Sequence, residues 1–564
     1  MSDPNGPLPP DHTEATAPVE TQPGETPALR KPRKPAIIAA VAGGVALLLI
    51  VGGGAWAFTT LVLGKGQSVA ASAVAFPGST VGWAELAIDP SNDQKLAALD
   101  FTGKLTGLED ALAEAGIDLD LSDGANTDLK KSAWDAFVSA QTGDATTLDY
   151  DKDIKPWLGS RIAVGLLENP VAGEQRTIVA IESSDAAAAK KALTTLVSES
   201  DETQGWTVGE HGGYALLGSE GVDLNEEFRT GTLASNEEFS AAAAKSGEWG
   251  LVSGWTGPGF AATVSNTDEA AAAATKGGSQ FAVVRLVDGT LELSGSSTGV
   301  ESGPELGDAG SAVGTLPAST MLAGSYGSLG VLLDYLLSDN DTAAALAESY
   351  SSYLGTAEAG ATPEEQIANS RAAVSDFFQT TFGLAFPDDV DSLFGESLTI
   401  VVDSAVSTTP SGSTENPVTE VVGSGVAIVV TSADAAATAE KWNTVLDAYA
   451  AQLGGELGLT VTVADNRVII GAGKYADALA GPAGTLGSSK RAATVLPDLD
   501  GASGVLYLDV PAALATYGAL IGDAAGEASS PLGAFDGLSA IGITTTRVSD
   551  TESSYRMRIS TEGK

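Results

Sequence analysis

Histidine and cysteine, the side chains most often used for proton transfer and nucleophilic attack near neutral pH, are nearly absent from this chain. It has 564 residues, two histidines and no cysteine, which excludes disulfides, thiol nucleophiles and iron–sulfur ligation. His12 lies in a Pro-rich stretch, and His211 precedes two glycines in a pattern typical of a tight turn. Because no G-x-S-x-G motif accompanies His211, we expect neither a Ser-His-Asp triad nor a histidine zinc site.

Carboxylates are abundant but show no spacing that marks a metal or cofactor site. Residues 118–124 (DLDLSDG) alternate oxygen ligands as a calcium loop does, yet Asp123 and Leu129 stand where an EF-hand needs Gly and Glu. Residues 498–501 (DLDG) form a weaker pattern of the same kind. No Walker A motif is present, and no GxGxxG follows a predicted strand. We therefore expect no metal, no cofactor and no catalytic residue, while a hydrolase that uses two carboxylates stays open.

The segment KPWLGSR, residues 155–161, contains the best candidate contact for a ligand or partner. Trp157 and Arg161 are of the types enriched at interaction hot spots. The alternative is structural: Trp157 packs in the core, while Pro156 and Gly159 shape the start of the strand RIAVGLL. We favour the structural interpretation and keep Trp157 and Arg161 as the candidate contact pair.

The balance of charge restricts the partners. The chain has 29 Lys and Arg against 73 Asp and Glu, a net charge of −44. Phosphate contacts need basic side chains, so we expect no nucleic-acid binding. Residues 1–65 contain equal numbers of basic and acidic residues. The whole negative excess therefore belongs to the part beyond residue 65.

A membrane segment is predicted near the N-terminus. The basic cluster RKPRK (30–34) precedes an uncharged stretch, 35–64, which exceeds the roughly 20 apolar residues that a spanning helix needs. We predict a transmembrane helix over 35–64, after a disordered Pro-rich tail over 1–34. The excess of basic residues before the helix predicts a cytoplasmic N-terminus and an extracytoplasmic C-terminal part at the plasma membrane. A cleaved signal peptide is the alternative, but its apolar core would be about 7–15 residues.

The rest of the chain repeats one order of motifs. PGST at 77–80 matches PAST at 317–320, and in each half an apolar strand, an Ala-rich helix and two hairpin patterns follow. We predict two copies of one domain, at 75–300 and 312–562, with a linker at 301–311. The predicted fold class is α+β: one N-terminal transmembrane helix, then a duplicated ectodomain of mixed or antiparallel sheets with helices packed on one side.

Four motifs of the first copy resemble a known family. They are FPGST at 76–80, DPS at 89–91, QKLAAL at 94–99 and DIKPWLGSR at 153–161. Together with a lone membrane anchor they resemble the actinobacterial membrane proteins known as domain of unknown function 3352. The resemblance implies an envelope location in a high-GC Gram-positive bacterium and implies no activity. In the second copy Phe394 and Ser397 take the places of Trp157 and Arg161, so a function of that pair would be confined to the first copy.

From these observations we expect a non-enzymatic, single-pass membrane protein of the bacterial cell envelope. Its acidic ectodomain would bind an envelope component, a lipid-like molecule or a membrane-protein partner. An accessory structural subunit of a membrane complex and a carboxylate-based envelope hydrolase are the alternatives.

Overall fold

A computed structural model describes most of the chain beyond residue 69. The described residues are 70–89, 97, 100–105, 129–142, 146–168, 176–199, 205–247, 250–264, 278–299, 303–338, 363–404, 425–453, 455, 457–481, 484–516 and 537–562. The predicted tail, the predicted membrane segment 35–64 and the calcium-like loop 118–124 lie outside these residues.

One antiparallel sheet of 16 strands organises the described residues. The strands are β1 (Thr80–Ala87), β2 (Leu158–Leu167), β3 (Arg176–Ser183), β4 (Thr207–His211), β5 (Tyr214–Gly218), β6 (Val252–Thr256), β7 (Ser279–Val287), β8 (Thr290–Thr298), β9 (Thr320–Gly327), β10 (Ser397–Asp403), β11 (Val426–Thr431), β12 (Thr460–Ala464), β13 (Arg467–Gly471), β14 (Gly504–Asp509), β15 (Leu538–Ser549) and β16 (Glu552–Thr561). Their order across the sheet is β12-β13-β11-β10-β9-β14-β15-β16-β8-β7-β6-β1-β2-β3-β5-β4.

The sheet divides into two halves with the same strand order. Read outward from the centre, β8-β7-β6-β1-β2-β3-β5-β4 of the N-terminal half matches β16-β15-β14-β9-β10-β11-β13-β12 of the C-terminal half. At the centre β8 and β16 pair antiparallel, with Ser294 opposite Arg556. An antiparallel pair of equivalent strands relates the halves by an approximate two-fold axis at that residue pair.

Short turns fix three hairpins, as the sequence predicts. Asp288 and Gly289 both adopt positive φ between β7 and β8, and Gly212 and Gly213 do so between β4 and β5. In the hairpin of β12 and β13, Asp465 has a φ of 56°. Positive φ at a two-residue turn matches the twist of the flanking strands, and glycine and aspartate tolerate it.

Helices and apolar clusters cover both faces of the sheet. The helices are α1 (Leu129–Thr142), α2 (Ala186–Glu199), α3 (Leu224–Glu227), α4 (Glu237–Lys245), α5 (Phe260–Val264), α6 (Ala309–Gly314), α7 (Leu329–Leu336), α8 (Pro363–Phe382), α9 (Asp388–Phe394), α10 (Ala435–Leu453), α11 (Gly473–Ala480) and α12 (Lys490–Val495). Neighbouring residues of β3 show the two-sided burial: Ala180 packs in the cluster with Phe239 of α4, and Ile181 packs in the cluster with Leu193 of α2. Continuous apolar strands are the sequence signature of burial on both faces.

The fold class expected from the sequence is therefore wrong. The halves share one purely antiparallel sheet, where the sequence left mixed and antiparallel sheets open. Helices pack on two sides of it and not on one, because the apolar strands leave no face free for water. Among the described residues, no helix combines the length and apolar character needed to cross a bilayer.

Gly295 permits the close approach of strands beside the central axis. A Cβ at this position would lie 2.5 Å from Tyr555 Oη and 2.6 Å from the carbonyl oxygen of Phe281. We expect Gly295→Ala to lower the free energy of unfolding by about 1–3 kcal/mol, since overpacking forces strands apart. Urea unfolding measures the change. The control is Gly481→Ala, whose Cβ would meet nothing within 4 Å; similar losses in both variants would contradict the prediction.

Candidate functional site

A polar cleft lies over the central axis, where the two halves meet. Its volume is about 390 Å³, within the usual range of small-molecule sites. Strands β8 and β16 form its floor, and the C-terminal end of α4 and the segment after α12 flank it. The lining residues are Lys245, Ser246, Arg285, Ser294, Gly295, Ser296, Asp498, Asp500, Thr544, Thr546, Glu552, Ser554, Tyr555 and Arg556. We call this site the central cleft.

Glu292 anchors the arginines beneath the central cleft. Its side chain is 2% exposed, and it accepts hydrogen bonds from Arg285 Nε at 3.0 Å and from Arg558 Nε at 2.8 Å. Arg556 Nε lies 3.5 Å from Glu292 Oε2. Burial alone would raise the pKa of Glu292, but the hydrogen bonds from Arg558 and Arg285 outweigh it and hold the pKa below its ordinary value. Glu292 is therefore ionised and fixes the guanidinium planes.

The charged groups at the rim form two ion pairs, one between the halves and one within the C-terminal half. Lys245 Nζ of α4 lies 2.7 Å from Glu552 Oε1, and Arg556 forms an ion pair with Asp498. These pairs join the last turn of α4 and the segment after α12 to the same strand, β16. Asp500 lines the cleft without an ion-pair partner in the described part of the chain.

Two buried polar atoms of the central cleft have no hydrogen-bond partner among the described residues. They are Ser296 Oγ, on a side chain that is 8% exposed, and Arg556 Nε. Buried polar groups in folded proteins are nearly always paired. A ligand or bound water in the cleft would satisfy both atoms.

The two halves place different side chains at symmetry-related positions of the cleft. Along the floor, Glu292 lies opposite Arg558, whereas the symmetry-related position pairs Ser296 with Ser554. One end of the floor is therefore ionic and the other end carries hydroxyls. Divergence between the halves has given a symmetric framework an asymmetric site.

Carboxyls with a raised pKa lie away from the central cleft. Burial, together with the nearby Asp334 and Asp388, raises the pKa of Asp391 on α9. Burial also raises the pKa of Glu85 on β1, an effect that Arg161 offsets in part. Within the described ranges, no group of three or more His, Cys, Asp or Glu side chains is placed to hold a metal ion.

Trp157, one of the two predicted contact residues, lies in the core. It is 1% exposed, and its ring packs edge-to-face on Trp134 of α1 with centroids 6.2 Å apart. Its indole Nε1 donates a hydrogen bond to the carbonyl oxygen of Asp153 at 2.6 Å. In this structure Trp157 offers no surface to a partner.

Arg161, the second predicted contact residue, forms a buried ion pair with Glu85. The backbone N–H of Ser72 donates to Glu85 Oε2 at 2.6 Å, and Trp83 Nε1 donates to Ser72 Oγ at 3.2 Å. The pair therefore holds the short 3-10 helix at 71–75 against the sheet. Arg161 does not line the central cleft.

His211 ends β4 and stacks on Phe228, with ring centroids 4.0 Å apart and planes inclined by 11°. No described residue forms a nucleophile–base arrangement with it. Stacking at the end of a hairpin strand explains its position without catalysis.

The comparisons with known proteins bear on part of the chain. Residues 40–221 match the family described as protein of unknown function (DUF3352). This match supports the resemblance seen in the sequence motifs, and it covers about a third of the chain. The matched range includes β1–β5 but ends before the strands of the central cleft. No curated protein and no solved structure matches the chain.

Sequence reasoning missed most of the central cleft. Only Asp498 and Asp500 were singled out, as a weak calcium pattern. The Asp288-Gly289 turn could have predicted one contact of the site, because a two-residue hairpin turn there places Arg285 opposite Glu292. The contribution of Arg556 and Arg558 depends on pairing between strands some 260 residues apart, which no local pattern reveals.

Proposed function

We propose that the protein is a non-enzymatic binding protein of the cell envelope, and that its central cleft holds a hydroxyl-rich polar component such as an envelope glycan. The observation that carries the proposal is a pair of buried atoms without a hydrogen bond among the described residues, Ser296 Oγ and Arg556 Nε. The second of these has only the ion-pair contact with Glu292 Oε2 at 3.5 Å. A sugar hydroxyl can donate to one polar group and accept from another, so it could satisfy both.

The lining favours a polar ligand over a lipid-like one. Seven hydroxyl side chains line the cleft, together with three cationic and three carboxylate groups. Most small-molecule pockets are lined predominantly by apolar residues with a few polar groups, whereas the residue types that line this cleft are mainly polar or charged. An acyl chain there would remove charged and hydroxyl groups from water without offering them any hydrogen bond, at a cost in free energy.

The cleft chemistry does not favour the hydrolase alternative. A glycosidase of the usual kind needs a general acid with a raised pKa beside a second carboxylate. Glu292, the buried carboxyl beneath the cleft, has a lowered pKa and is held by arginines. Its contacts suit positioning of cations rather than proton donation.

Isothermal titration calorimetry of the full-length chain with a panel of cell-wall saccharides tests the proposal. We expect saturable binding that Ser296→Ala weakens about tenfold, the effect of one lost hydrogen bond. The matched control is Ser311→Ala, an exposed serine on α6 away from the cleft, which should bind like the natural chain.

Two results would contradict the proposal. One is the absence of binding across the panel, and the other is binding that Ser296→Ala leaves unchanged. Release of reducing sugar ends during the titration would instead favour the hydrolase alternative. The location at the plasma membrane stays a prediction, since it depends on residues 1–65, which lie outside the described ranges.

A further inference from the structure

The two outer strands of the sheet, β4 and β12, differ in how they limit pairing with other strands. Each is the first strand of an outermost hairpin, and no described strand pairs with its outer side. Strand β12 has the sequence TVTVA, without charge, proline, glycine or an irregular register. Native proteins usually protect an edge strand with one of these features, because an open edge pairs readily with another strand.

The hairpin geometry identifies the backbone groups that β12 leaves unpaired. In a two-residue hairpin the residues beside the turn exchange both backbone hydrogen bonds, and the next pair exchanges none. Ala464 and Arg467 lie beside the turn, so the next pair, Val463 and Val468, exchanges no backbone hydrogen bonds. The N–H and C=O groups of Val461 and Val463 therefore point away from the sheet.

The other edge carries a charge at the equivalent position. In β4, His211 lies beside the turn opposite Tyr214, so Glu210 corresponds to Val463. Glu210 is exposed, as is Val463, whose side chain is 48% exposed. A carboxylate at an outward position disfavours strand pairing, whereas an exposed valine gains by being covered.

We propose that β12 pairs antiparallel with β12 of a second copy of this chain, centred on Thr462. This register places Val461 opposite Val463 of the partner copy, so that every outward backbone group of both residues is paired. It also brings the exposed Val463 of each chain into contact with the partly buried Val461 of the other chain.

The arrangement repeats one that the molecule already contains. Strands β8 and β16 are equivalent strands of the two halves and pair antiparallel about the central axis. Pairing of β12 with β12 of a second copy would extend the sheet in the same way, by antiparallel pairing of equivalent strands about a two-fold axis. A second copy is favoured as the occupant because TVTVA is complementary to itself in this register.

Sedimentation velocity of the full-length chain in one mild detergent tests the interface. We expect a dimer for the natural chain and at least tenfold weaker association for Val463→Glu, which introduces the residue type found in β4. Val463→Ile keeps the apolar contact and should remain dimeric. Glu210→Gln, at the matched position of the other edge, should leave the association unchanged. At a protein concentration low enough for every variant to be monomeric, all variants should unfold at the same urea concentration.

Single cysteines test the register, since the chain has none of its own. Thr462 would face Thr462 of the second copy as a non-hydrogen-bonded pair with Cα atoms about 4.5 Å apart, which suits a disulfide. Thr462→Cys should therefore form a covalent dimer under mild oxidation. Thr460→Cys should not, because its two copies would lie roughly 14 Å apart.

A monomeric natural chain would overturn the proposal. It would also fail if the dimer persisted in Val463→Glu, or if Thr460→Cys cross-linked as well as Thr462→Cys. None of these results depends on a ligand in the central cleft, so the proposed function is tested separately.

Discussion

Replacing Glu292 by glutamine should lower the free energy of unfolding by about 3–5 kcal/mol. The carboxylate is the common partner of Arg285 and Arg558 and is nearly inaccessible to water. Glutamine keeps the shape but leaves buried guanidinium groups without a counter-charge. Urea unfolding of the full-length chain measures the loss. Glu552→Gln is the matched control, because Glu552 pairs with the half-exposed Lys245 and should cost about 1 kcal/mol or less.

The pH dependence of the same variant gives a second test. The pKa of Glu292 is held below its ordinary value of 4.5, so the folded state favours the ionised form. The stabilisation by Glu292 is therefore present above about pH 4.5 and is lost as the pH falls through the lowered pKa. We expect the stability difference between the natural chain and Glu292→Gln to shrink below that pH. A difference that stays constant down to pH 2 would contradict the assignment.

The second large effect is expected at the buried pair of Glu85 and Arg161. Arg161→Met and Glu85→Met should each destabilise the chain by about 3–5 kcal/mol, because each leaves one unpaired charge in the core. The double variant should cost less than either single variant, since no buried charge remains. A double-mutant cycle by urea unfolding measures this coupling.

The C-terminal half supplies a natural precedent for removal of both charges. By strand register, Ser325 and Ser397 occupy the positions of Glu85 and Arg161, and Ser325 Oγ lies 2.8 Å from Thr399 Oγ1. The exposed Lys152 is the control, because its pair with Asp149 lies at the surface and Lys152→Met should change stability by less than about 1 kcal/mol. Additive costs in the cycle would show that the two charges do not interact.

Local sequence predicted the small elements well. The hairpins at His211, at Asp288 and at Asp465 follow from turn residues that tolerate positive φ, and the structure confirms them. Helix α2 begins where Asp185 accepts hydrogen bonds from the amides of Ala187 and Ala188, the capping role for which aspartate is a preferred residue type. These features depend on a few adjacent residues, so one sequence is enough to see them.

Trp157 and Arg161 are both buried, which residue type alone does not predict. Tryptophan and arginine are frequent at interaction surfaces, yet they are equally suited to a core position when a neighbouring side chain satisfies their polar atoms. Glu85 lies 76 residues from Arg161. Only the pairing of β1 with β2 brings the carboxylate to the guanidinium.

By itself the sequence determined the strands, the turns and the repeated order of motifs, because each depends on residues close together along the chain. Only the tertiary structure decided that both halves share one sheet, that helices cover its two faces, and that Arg556 and Arg558 meet Glu292. Those contacts join backbone edges and charges far apart along the chain. The free energy that selects them comes from burial and pairing in three dimensions, which local sequence patterns do not record.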